Sequence, residues 1–163
     1  MPVLLNLVLL LSVTPQLPSG PPATGIQPVT IPTACTAVTR REIEKAIEHP
    51  LELGREERDG NQSSCDYLGG GGQVTITLLR SRRRLDVPAE IAALRAALPQ
   101  AEIRDTREFG MRAIYLDLRQ MGTQLHIIRG GRDYVMVSIL GFGEARLVAA
   151  PAAKIARAIL DRI

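Results

Sequence analysis

No tryptophan and only 3% aromatic residues leave this chain without the stacking platforms that bind single-stranded nucleic acid. A formal net charge of +3, with lysine only at Lys45 and Lys154, falls short of the basic footprint of a nucleic-acid-binding domain. Histidine is confined to His49 and His126 and cysteine to Cys35 and Cys65, and no two of these four stand at metal-ligand spacing. Metal and cofactor chemistry are therefore not expected. There is no G-x-S-x-G elbow for a serine nucleophile, and Ser138 sits inside a strand pattern. Charge is missing too: no charged residue precedes Arg40.

That last absence divides the chain. Val3 to Val13 reads VLLNLVLLLSV, the length of a signal-peptide h-region, whereas a membrane-spanning helix needs about 20 apolar residues. No membrane span is expected. The run lacks the usual basic residues before it, and the best small-x-small cleavage site is Ala23 to Gly25. Residues 1–25 thus read as a signal-peptide-like leader and 26–34 as a Pro/Thr-rich linker, which leaves 35–163 as one domain with one core. An apolar leader followed by only two cysteines predicts export to an oxidising compartment, secreted or periplasmic, with a Cys35–Cys65 disulfide. Lipid attachment at Cys35 is the alternative. It fits less well, because Pro32, Thr33 and Ala34 precede the cysteine instead of a Leu-Ala-Gly-like stretch.

Within the domain, Thr39 and Glu42 form a capping-box pattern, Val38 can staple onto Ile43, and Pro50 ends the helix near His49. An exposed strand is expected within Leu51 to Glu57. A hairpin follows, from Cys65 and Tyr67 through Gly69 to Gly72 into the alternating Val74, Ile76 and Leu78. A second helix opens near Pro88 with Ile91, Leu94 and Leu98 on one stripe. Four strands are read next, over Ala101 to Glu108, Arg112 to Leu118, Thr123 to Arg129 and Tyr134 to Leu140, joined by short turns. A last helix is expected from about Pro151, carrying Ala152, Ile155, Ala156, Ile159, Leu160 and Ile163 on one face. The sum is an α+β fold: an antiparallel meander sheet of six or seven strands covered by three short helices, with one disulfide.

Three further patterns carry chemistry or its imitation. Gly141 to Arg146, G-F-G-E-A-R, lies between a strand and a helix, but Arg146 occupies the place of the third small residue, so it reads as a plain turn. The Gly69 to Gly72 run has no Lys-Ser/Thr partner and reads as a flexible hairpin tip. Asn61-Gln62-Ser63 matches a glycosylation sequon. Arg80, Arg82, Arg83 and Arg84 form the sharpest charge cluster and are the candidate anion-binding residues. His126 alternates with Leu125 and Ile127, which places it toward solvent or against a neighbour that satisfies it.

The chain resembles a family of small exported or lipid-anchored bacterial envelope proteins of unknown function. The resemblance spans Cys35 to Ile163 and is carried by a cysteine before a Thr-x-x-Glu helix, by Cys65-Asp66-Tyr67, and by Phe109-Gly110-Met111-Arg112-Ala113, similar to that family's Gly-Leu-Gly-Asp-x-Ala. It implies an exported α+β domain without known catalysis, and no active-site residues to carry over. The expected role is non-enzymatic binding of an envelope protein or glycan through the sheet face or hairpin loops. A small secreted hydrolase and an anionic-polymer binder acting through Arg80 to Arg84 are the rival readings.

Overall fold

The computed structural model describes residues 32–163, so the leader reading and most of the linker fall outside the described residues. Seven strands form one antiparallel sheet: β1 (Arg55–Asp59), β2 (Gln62–Gly69), β3 (Gly72–Arg80), β4 (Glu102–Thr106), β5 (Arg112–Asp117), β6 (Gly122–Arg129) and β7 (Asp133–Leu140). Their spatial order, β1-β2-β3-β7-β6-β5-β4, is two meanders joined side by side at β3 and β7. Short turns favour antiparallel neighbours within each meander. The long link between β3 and β4 lets β7 return to β3 and close the seam.

Four helices complete the fold: the single turn α1 (Ala34–Ala37), α2 (Arg40–Ile47), α3 (Val87–Ala97) and α4 (Ala145–Leu160). The capping box of α2 is formed, with the Thr39 amide donating to Glu42 Oε2 at 2.9 Å and the Glu42 amide donating to Thr39 Oγ1 at 3.3 Å. Glu42 also takes two hydrogen bonds from the Arg162 guanidinium, at 3.0 and 2.6 Å. Arg162 first, then Thr39, hold its carboxyl down at about 2. One carboxylate thereby ties the helix start to the end of the chain.

The core lies on one face of the sheet. Val74, Ile76, Leu78, Leu125, Ile127, Val135, Val137 and Ile139 point into it from the strands. Val38, Ile43 and Ile47 cover them from the chain before β1, and Val148, Ile155 and Ile159 cover them from α4. α4 begins at Ala145, six residues before the expected start, with Pro151 inside it. A proline inside a helix costs about 3 kcal/mol. The helix persists because Val148, Ala152, Ile155, Ala156 and Ile159 are buried at helical spacing on both sides of the proline. β1 also departs from expectation. It starts at Arg55, while Leu51 is buried in the core and the Glu52 amide donates to Leu68 O at 2.7 Å.

α3 lies on the opposite face. Its Pro88, Ile91, Ala92 and Arg95 line a cavity of about 330 Å³ with Ile103, Asp105 and Arg112, whose side chains point away from the core. Asp86 caps it through the Ala89 amide at 3.3 Å. The apolar stripe is there, since Ile91, Leu94 and Leu98 are each half-buried, but no residue of α3 is fully buried.

Candidate functional site

The disulfide joins Cys35 in α1 to Cys65 in β2 with Cα atoms 5.1 Å apart. β2 alternates along its length, so Ser63, Cys65 and Tyr67 all face the core. Ser63 Oγ accepts the Ala34 amide at 2.8 Å, and Tyr67 Oη donates to Cys35 O at 3.4 Å. Gly54 completes this corner, since a Cβ there would stand 2.6 Å from Cys65 Sγ and from the Tyr67 ring. The bridge closes a span of 30 residues and holds the start of the domain against the sheet. Its contribution to stability is about 3.5 kcal/mol by chain-entropy reasoning.

The arginine cluster separates into two parts. Arg80, at the end of β3, is engaged: it forms a two-pronged ion pair with Asp133 at 2.6 and 3.1 Å. That hydrogen bonding raises its pKa further and takes it out of the candidate anion-binding set. Arg82, Arg83 and Arg84 are exposed and make no ion pair among the described residues. The loop that carries them is fastened to the β6–β7 turn by the Ser81 amide on Arg132 O at 2.8 Å and the Leu85 amide on Gly131 O at 2.7 Å. This brings in a fourth exposed arginine, Arg132, likewise without an ion pair. Sequence reading missed it because Arg132 is some 50 positions away. The only hint was its place in a short glycine-rich turn.

His126 is buried at 2% exposure, not solvent-facing, on the α3 side of the sheet. Its Nδ1 is hydrogen-bonded to Tyr134 Oη, while its Nε2 has no partner among the described residues. Burial lowers its pKa to about 4, which keeps the ring neutral, and burial likewise pushes the Tyr134 hydroxyl up. His49 packs on the Phe142 ring with centroids 5.3 Å apart, so the two histidines do not share a site. Among the described residues no three His, Cys, Asp or Glu side chains gather as metal ligands.

A second concavity runs between α4 and the β4–β5 end of the sheet, a cavity of about 320 Å³ lined by Glu102, Arg104, Tyr115, Asp117, Thr123 and Arg146. The Arg104 guanidinium lies 4.2 Å from the centre of the Tyr115 ring, and Tyr115 Oη donates to Glu108 at 3.0 Å. Burial and that carboxylate raise the Tyr115 pKa.

The glycine motifs serve backbone contact. Gly70 and Gly71 form the hairpin tip with φ of 57° and 82°, the mirror-image turn that two-residue hairpins favour. A Cβ on Gly72 would stand 2.5 Å from Leu140 O, so the tip packs against the Gly141 to Arg146 turn. Asn61 of the sequon donates its amide to Arg80 O. No family model matches the chain, and no curated protein or solved structure matches it.

Proposed function

We propose that this chain is an exported, non-catalytic binding domain that holds an anionic polymer of the cell envelope through Arg82, Arg83, Arg84 and Arg132. The carrying observation is the clustering of four exposed, unpaired guanidiniums on two loops bonded backbone to backbone. Several cations elsewhere are spent within the fold, as in Arg80–Asp133, Arg112–Asp105 and Arg162–Glu42. Guanidiniums left free are weakly hydrated and present a planar fork to carboxylate, sulfate or phosphate oxygens. The scarcity of aromatic residues favours a flexible acidic glycan over a nucleic acid, whose bases ask for stacking.

The disulfide supports export, because such bridges persist in oxidising compartments. No helix among the described residues is long and apolar enough to cross a membrane. The non-catalytic reading is supported by the burial of His126 against Tyr134 and by the separation of His49 from it.

Binding to dextran sulfate, with neutral dextran as control, tests the proposal. The expected result is affinity that falls steeply with salt and drops at least tenfold when Arg82, Arg83, Arg84 and Arg132 are replaced by alanine. Arg80→Ala should leave it nearly unchanged, because that guanidinium already belongs to Asp133. Salt-insensitive binding, or equal binding by the fourfold variant, would remove the proposal.

A further inference from the structure

The two edges of the sheet are unlike. β1 ends one side with five exposed residues, Arg-Glu-Glu-Arg-Asp, and Arg58 already pairs with Glu56 along the strand at 2.7 Å. A charged, apolar-free edge of this kind discourages strand addition. Any two-fold pairing of β1 with itself would set a charged residue against its own copy.

β4 ends the other side and has a different character. Only β5 pairs with it, so its outer N–H and C=O groups are left without a strand partner among the described residues. Alternate residues line different cavities: Glu102 and Arg104 border the one beside α4, while Ile103 and Asp105 border the one beneath α3. Glu102 also stands directly opposite Asp117 in the β4–β5 ladder, and neither carboxylate has an ion pair among the described residues. Like charges at directly opposed positions are destabilising. Arg104 has no carboxylate partner either; its guanidinium rests on the Tyr115 ring.

We propose that β4 pairs antiparallel with β4 of a second copy of this chain, centred on Ile103, so that the partner's Arg104 stands opposite Glu102. A two-fold axis normal to the sheet keeps each face continuous and makes the residue at the centre meet its own copy. Centring on Glu102, Arg104 or Asp105 sets like charges against each other. Centring on Thr106 carries the ladder past the strand into the Arg107–Gly110 turn. Only Ile103 places an apolar pair at the axis and opposite charges on both flanks. The pairing joins two seven-stranded sheets into one. It also brings a guanidinium to the Glu102–Asp117 carboxylates on one face, and on the other it places the partner's Ile103 beside Ile103 under α3.

A short ladder makes a small interface, so the dimer belongs to the weak class and is read by sedimentation equilibrium at roughly 100 µM protein. Wild-type protein should dimerise. Glu102→Arg and Arg104→Glu, each folded by circular dichroism, should weaken association at least tenfold, because each sets like charges face to face twice in the ladder. Combining the two restores opposite charges and should bring the affinity back to within about threefold of wild type. Amide hydrogen exchange should show protection at Ala101 to Asp105 that rises with concentration. A wild-type monomer overturns the proposal. So do single reversals without effect, a double variant that stays dissociated, a dimer whose β4 amides stay unprotected, or capture of an unrelated extended peptide by a monomeric chain.

Discussion

One face of the sheet carries the apolar core and the disulfide staple, and the other is loosely roofed. On the α4 side, aliphatic side chains from β3, β6 and β7 meet α2 and α4, and the disulfide draws α1 onto the same surface. On the α3 side, Ile114, Leu116 and Ile128 are buried beside an imidazole, and the covering helix buries none of its own residues fully. The same strands supply both faces, so the contrast comes from what covers them. The α4 side holds the larger buried apolar cluster. Both sides bear a cavity, of about 320 and 330 Å³, and the α3 side differs in burying an imidazole under a helix that has no fully buried residue.

Deleting side chains tests that asymmetry most strongly. Ile155→Ala empties a site at 1% exposure in the apolar core and should cost about 2–5 kcal/mol in denaturant unfolding. Leu94→Ala in half-buried α3 should cost about 1 kcal/mol, since little packing surrounds it. Equal losses would show that the two faces are alike. Next in size, replacing Cys35 and Cys65 together by alanine should lower stability by about 3.5 kcal/mol, measured against the oxidised protein. A loss under about 1 kcal/mol would mean that α1 holds to β2 without the bridge.

The buried imidazole makes the α3 side sensitive to pH. The fold lowers its pKa from 6.5 to about 4, so below pH 6.5 the unfolded chain takes up the proton that the fold refuses. Stability is therefore complete above pH 6.5 and falls as pH drops toward 4, by about 3 kcal/mol at 1.4 kcal/mol per unit. His126→Gln can keep a hydrogen bond to Tyr134 and should flatten the profile between pH 6.5 and pH 5. An unchanged slope would place the titrating group elsewhere.

Much of this molecule can be read from its residues, and the limits have physical causes. The Thr39–Glu42 cap, the glycine hairpin and the alternation of β3, β6 and β7 are local signals, and each forms where its pattern lies. Pro151 misled because a breaker is also a local signal, and the burial that overrides it is supplied by strands far away in the chain. Of the arginine cluster, Arg82 to Arg84 could be found from sequence. The loss of Arg80 to Asp133 and the arrival of Arg132 could not, because both depend on which strand ends lie side by side.

The class of fold, the cysteine pair and the amphipathic order of the elements follow from periodicity and composition alone. Long-range packing set the rest: that β7 docks against β3, that α3 crosses to the far face, that His126 is sealed, and that β4 is left as an open edge across the sheet from an all-charged counterpart at β1. Those outcomes rest on contacts between distant segments. Neighbouring residues carry no record of such contacts.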